Sequence, residues 1–80
     1  MTNLEKYNQI LKRDLRAGDD DLNDGVLIYN RFQHWDSMAH MEMVSDLEEA
    51  FHVQFETLDI TSFDKYSAGI EILRKLKVKI

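Results

Sequence analysis

Apolar residues at Leu4, Tyr7, Ile10, Leu11 and Leu15 advance by three or four positions, with Lys6, Lys12, Arg13 and Asp14 elsewhere on the wheel. This spacing predicts an amphipathic first helix from about Asn3 to Arg16. The pattern then breaks. AGDDDLNDG sets a glycine on each side of an acid-rich cluster, and VLIYNRFQHW has neither a helical nor an alternating period, so residues 17 to 35 read as one long loop. Such a loop in a compact domain needs pinning, and Val26, Leu27, Ile28, Phe32 and Trp35 are the candidates. A strand at GVLIYN is the competing reading, but it has no evident partner. The helical period returns with Met38, Met41, Val44, Leu47 and Phe51 as an inward stripe, beside a separate i, i+4, i+7 row of Glu42, Asp46 and Glu49. Met43 lies off that stripe and is expected to be exposed, as is His40. After HVQFETLD, ITSF suits one short helical turn with Ile60 and Phe63 facing inward. A last helix from roughly Tyr66 to Lys77 would turn Ile70, Leu73 and Leu76 inward, with Ser67 as its start cap and Arg74, Lys75, Lys77 and Lys79 near its negative end. The expected fold is all-α: one domain over residues 1–80, a small four-helix bundle with three main helices, one short helix and a long first loop.

Composition narrows the function. Eighty residues form one domain at most, burying only roughly 60% of the unfolded surface. The absence of cysteine removes disulfides, thiolate metal sites and cysteine nucleophiles together. Fifteen acidic against ten basic side chains, a net charge of −5, argue against nucleic acid as a partner. The distribution is more informative than the sum: no Lys or Arg lies between Arg31 and Lys65, whereas eight Asp and Glu do. Most carboxylate rows are solvated helix faces, but one left without cations for so long points to a basic partner outside the chain. No apolar run reaches membrane-spanning length and MTNLEKYNQILKRDL is charged throughout, so a cytoplasmic protein without a membrane span is expected. DDDLND fits no EF-hand register: starting at Asp19 puts Asp24 where glycine is required and Asn30 where the closing Glu should be. His34, His40 and His52 have no i, i+4 spacing for a metal.

The stretch HWDSMAHMEM, at the start of the second helix, carries the candidate chemistry. Three readings of Ser37 compete. In the first, Asp36 or Ser37 is a helix cap and nothing more, stabilising by about 1 kcal/mol. In the second, Ser37 is a nucleophile with His40 one turn along; that needs an orienting carboxylate, an oxyanion hole and a pocket, for which a short helical chain without a glycine-rich elbow offers little. In the third, Ser37 accepts a phosphate-linked group from another enzyme, favoured by the free N–H groups and partial positive charge of a helix N-terminus.

The run WDSMAHMEMVSDLEEAFHVQFE resembles the prosthetic-group segment of the acyl carrier protein family, whose hallmark is Asp-Ser-Leu or Asp-Ser-Met at the start of an acidic second helix. The likeness covers most of the chain: the first helix, the long loop, the Asp36-Ser37-Met38 triplet, LEEAF at 47 to 51, the short helix near ITSF and the last helix. The resemblance implies a four-helix bundle of acyl-carrier type with no catalysis of its own. A phosphopantetheinyl transferase would place 4'-phosphopantetheine from coenzyme A on Ser37, and the arriving thiol would hold acyl groups as thioesters for enzymes of fatty-acid-like or specialised biosynthesis. Asp36 and Met38 would serve transferase recognition, and Glu42, Glu48 and Glu49 would meet basic patches on acyl-loading and acyl-processing partners. Periodicity adds Asp46 to that row. A bound acyl chain would slip between the second and short helices against Met41, Leu47, Ile60 and Phe63, and the protein would be a monomer. The triplet is followed by Ala39 and His40 rather than an acid, and Trp35 precedes it, which is more similar to stand-alone carriers of specialised pathways. An aminoacyl carrier of D-alanyl or peptidyl type is the narrower alternative. An acidic helical interaction module that is never modified is the alternative from another class.

Overall fold

Thr2 and Glu5 start the first helix by satisfying each other's backbone donors: Thr2 Oγ1 accepts from the Glu5 N–H at 3.1 Å and Glu5 Oε1 from the Thr2 N–H at 2.8 Å. The reciprocal bonds hold the Glu5 carboxyl below its usual range. In the computed structural model, which describes residues 1–80, α1 (Asn3–Leu15) ends one residue earlier than the periodicity suggests because Arg16 turns left-handed at φ 56°. Tyr7, Ile10, Leu11 and Leu15 are buried, while Leu4, on the first turn, is 43% exposed.

The first loop contains one 3-10 turn, Asp19–Asp21, closed by Asp21 Oδ2 accepting from the Gly18 N–H at 2.8 Å. Of the five expected pins, Leu27 and Trp35 are fully buried, Ile28 and Phe32 are half-buried, and Val26 is exposed. No strand forms at GVLIYN. A single antiparallel bridge between Ile28 and Lys65 takes its place, with the Tyr29 N–H donating to Asp64 O at 2.9 Å and the Tyr66 N–H to Leu27 O at 3.1 Å.

Three further helices follow: α2 (Ser37–Phe51), α3 (Thr57–Ser62) and α4 (Tyr66–Lys75). The fold is therefore all-α, four helices and no strand. No helix is long and apolar enough to cross a membrane. α3 begins three residues before ITSF because Asp59, itself buried, accepts from the Glu56 N–H at 3.0 Å and pairs with Lys75 of α4. That lysine holds the Asp59 carboxyl below its usual range.

The start of α4 differs from expectation. Ser67 lies inside the helix, and the cap comes from the loop: Asp24 accepts from the Ser67 N–H at 2.8 Å and from its hydroxyl at 2.7 Å. The buried face is Ala68, Gly69, Ile72 and Leu73, while Ile70 and Leu76 are only half-buried. Steps of three residues fall roughly 60° short of a full turn, so Ile70, Leu73 and Leu76 drift round the helix, whereas an i, i+1, i+4, i+5 set stays on one face.

Gly69 lets α4 approach α1. A Cβ there would collide with the Phe63 ring and the Tyr7 hydroxyl, which itself donates to Tyr66 O at 2.6 Å. Overpacking of this kind costs about 1–3 kcal/mol, and the gain in helix propensity from Gly to Ala recovers only about 1 kcal/mol. Because a Cβ would press on both groups well inside contact distance, the cost lies toward the upper end of that range, and Gly69→Ala should lower the urea unfolding free energy by about 1–2 kcal/mol net. An unchanged midpoint would show that Tyr7 and Phe63 yield without cost.

Candidate functional site

Asp36 is extended (φ −106°), and its Oδ1 accepts from the Ala39 N–H at 2.9 Å while its carbonyl accepts from the His40 N–H at 2.9 Å. It is therefore Asp36, not Ser37, that caps α2. Ser37 follows as the first helical residue, exposed, and its hydroxyl enters no hydrogen bond with another side chain or with the backbone. The N–H groups of Ser37 and Met38, at the positive end of the helix, have no intrahelical acceptor. Position 37 thus presents a hydroxyl that the fold does not use.

His40 does not face that hydroxyl. It is buried, with 7% of its surface exposed, its Nδ1 accepts from Trp35 Nε1–H at 3.0 Å, and its Nε2 lies 2.8 Å from Ile60 O. An indole can only donate and a carbonyl can only accept, so the partners assign the Nε2–H tautomer. Both ring nitrogens are committed, and no Ser37–His40 pair is formed.

The inward face of α2 is His40, Met43, Val44 and Leu47. This corrects the expected stripe. Met38 and Met41 are 82% and 52% exposed, whereas Met43, expected outside, is fully buried. The run Met38, Met41, Val44, Leu47 again advances by threes and drifts, so Met38 ends roughly opposite Leu47. It shares the outer face with Glu42 and Glu49, both exposed. Leu58 of α3, which sequence reasoning did not single out, is a further large apolar residue on the surface, at 74% exposure. Its only sequence signal is its place one residue inside an acid-flanked helix start.

The expected recognition residues therefore divide. Asp36, Met38, Glu42 and Glu49 remain exposed. Glu48 is half-buried and accepts from the Phe55 N–H at 2.7 Å, tying the connector after α2 back to the helix. Asp46 is half-buried and pairs with Arg13 Nη2 at 3.1 Å. The four residues expected to border an acyl chain do not share one opening: Leu47 and Phe63 belong to the closed core, Ile60 is half-buried and Met41 lies outside. An open groove is lined instead by Ser37, Met38, Met41 and Glu42, and a second by Arg13, Arg16, Gln33 and His34 opposite Asp36, Met38 and Glu42.

At the α1–α2 contact, Asp14 and Asp46 form a carboxyl pair bridged by Arg13, whose Nε lies 3.2 Å from Asp14 Oδ1. Asp14 Oδ2 is buried and finds no donor. Burial, followed by the hydrogen bond with Asp46, pushes the Asp14 carboxyl up to about 6 against the pull of Arg13, and the same bond holds Asp46 below its usual range. Below about pH 6 the proton of this pair resides on Asp14, the more deeply buried of the two.

Neither protein-family models nor curated proteins yield a match to this chain.

The raised Asp14 value sets the sign of a pH dependence. The folded protein keeps a proton that the unfolded chain, near the ordinary value of 3.8, releases, so the stabilisation is lost as pH rises through about 6. The depressed Asp46 acts in the opposite sense only below its ordinary value. Asp14→Asn, whose amide can donate to Asp46, should remove this slope. After solvent screening, the native chain should lose roughly 1 kcal/mol relative to the variant between pH 5 and pH 7.5. Parallel urea curves at both pH values would refute the raised Asp14 value.

Proposed function

We propose that this chain is an acyl carrier protein, a four-helix bundle of acyl-carrier type that carries 4'-phosphopantetheine on Ser37 and is acted on by other enzymes. The observation that supports it best is the division of labour at the start of α2: Asp36 caps the helix, leaving the adjacent Ser37 hydroxyl exposed and without a structural role. Attachment is a displacement in which Ser37 Oγ forms a bond to the phosphorus that bears the pantetheine in coenzyme A. The pyrophosphate P–O bond breaks, 3',5'-ADP leaves, and the hydroxyl proton passes to a base on the transferase.

The residues at hand fit such a group. The free N–H donors and positive end of α2 favour a phosphodiester at position 37, and an exposed surface of Met38, Met41 and Glu42 adjoins it. Once attached, the group supplies the thiol this cysteine-free chain lacks and holds a carboxylic acid as its thioester. Met38, together with the exposed carboxylates Glu42 and Glu49, suits docking by transferase and acyl-processing partners with basic rims; Asp46 and Glu48 contribute less because both already serve the fold. Charge contacts of this kind speed encounter and weaken with salt.

Incubation with coenzyme A, magnesium and a broad-specificity phosphopantetheinyl transferase should add one phosphopantetheine by intact mass to the native chain and none to Ser37→Ala. No gain in folded protein, with a control carrier modified in the same tube, would instead favour an unmodified interaction module. The same variants separate the two adjacent roles. Ser37→Ala should change unfolding free energy by less than about 0.5 kcal/mol, whereas Asp36→Ala, which removes the cap, should cost about 1 kcal/mol.

A further inference from the structure

On the carrier reading a cargo chain tethered at Ser37 would have to pass between α2 and α3 to enter the bundle, and there the His40 side chain of α2 packs against Ile60 and Phe63. The His40 ring lies 5.7 Å from Phe63, just after α3, 5.1 Å from Tyr29 and 6.0 Å from Trp35, between centroids. It is also hydrogen-bonded on both edges, to the Trp35 indole and to the Ile60 carbonyl. Phe63 is held from its other sides by Trp35 at 5.8 Å and by Phe55 at 6.4 Å. Behind His40, Leu47 is fully buried.

An apolar chain passing between α2 and α3 at this level would have to displace the imidazole. That would leave the Trp35 N–H and the Ile60 carbonyl without partners next to hydrocarbon, which is more costly than parting apolar side chains that can close on the guest. The apolar surface already exposed lies on the outside of α2, at Met38 and Met41, in the groove that also contains Ser37.

We propose that His40 is a specificity-determining plug: it closes the α2–α3 crevice, so that a cargo borne on Ser37 stays on the outer face of α2, against Met38 and Met41. Short acyl, hydroxyacyl or aminoacyl groups are the cargo class this suits, because a long alkyl chain gains no buried site within the bundle. The inference rests on the carrier reading, and its test does not require enzymic loading.

The chain has no cysteine, so Ser37→Cys provides a unique thiol. Alkylation with a haloacetyl pantetheine mimic, ending in either an acetyl or an octanoyl amide, forms a thioether at that sulfur with loss of halide and the thiol proton. Methyl and backbone NMR shifts of the two adducts are then compared. The expected result is that both perturb Met38, Met41 and Glu42, while Leu47, Ile60, Phe63 and the nitrogen shifts of the His40 Nε2–H tautomer are the same in both. Octanoyl-dependent shifts at Leu47, Ile60 or Phe63, or loss of the His40 tautomer signature, would overturn the proposal. In a folded His40→Ala background the octanoyl adduct should shift those core signals and the acetyl adduct should not; identical core signals there would show that His40 is not the determinant. The native-His40 comparison decides the matter even where that variant does not fold. Failure of transferase loading with success of the chemical adducts would count against the carrier reading and leave the plug intact.

Discussion

His40 is the joint through which the loop, α2 and α3 hold one another. Its two nitrogens take opposite roles, one accepting from Trp35 and the other donating to Ile60, so a single ring fixes the indole at the end of the long loop and a carbonyl within the short helix. The first bond is buried and the second partly so, and each would leave an unpaired polar group if the ring withdrew. A helix of only six residues has little stability alone, so α3 depends on such ties: the His40 bond at one side, the Asp59–Lys75 pair at another and the Phe63 ring among Trp35, His40 and Phe55.

The same economy governs the charged residues. Many of the carboxylates that look like a free acidic surface in the linear chain are structural. Asp24 caps α4 from the loop, Asp36 caps α2, Glu48 holds the Phe55 N–H, Asp59 starts α3, and Asp46 pairs with Arg13. Removing these from the count leaves Glu42 and Glu49 on the outer face of α2, beside Met38 and Met41. The residual surface is small, but Met38, Met41 and Glu42 adjoin Ser37, and the mixture of sulfur-bearing apolar side chains with carboxylates suits adaptable, charge-steered contact.

The proximity of cap and hydroxyl explains why the Asp-Ser pair is ambiguous to a sequence reader. Either residue type can cap a helix, and only the backbone conformation decides which side chain reaches the Ala39 N–H. Once Asp36 does so, Ser37 has no intramolecular task, and the bland reading of the serine loses its support while the bland reading of the aspartate holds.

Helix number and order were legible in the chain because amphipathic spacing survives errors of phase, and the long loop because its polar cluster and glycines interrupt that spacing. The TNLE capping box at residues 2–5, although both of its bonds are local, was not among the expected features. Helix phase was not: in α2 and α4, residues spaced by three can be assigned to either edge of the apolar arc, and which edge turns inward is decided by what packs against it. Trp35, Tyr29 and Phe63 form the setting that makes a buried histidine favourable, and they come from the loop and from the C-cap of α3, so His40 and Met43 were misplaced and Met38 and Met41 exchanged for them. The sequence by itself determined the helices, the acidic middle and the modifiable-looking serine, since these are properties of local spacing and composition. Tertiary structure alone decided which side of α2 faces water, which carboxylates serve the fold and that His40 is buried between Trp35 and Ile60, because each of these depends on contacts between separate elements of the chain.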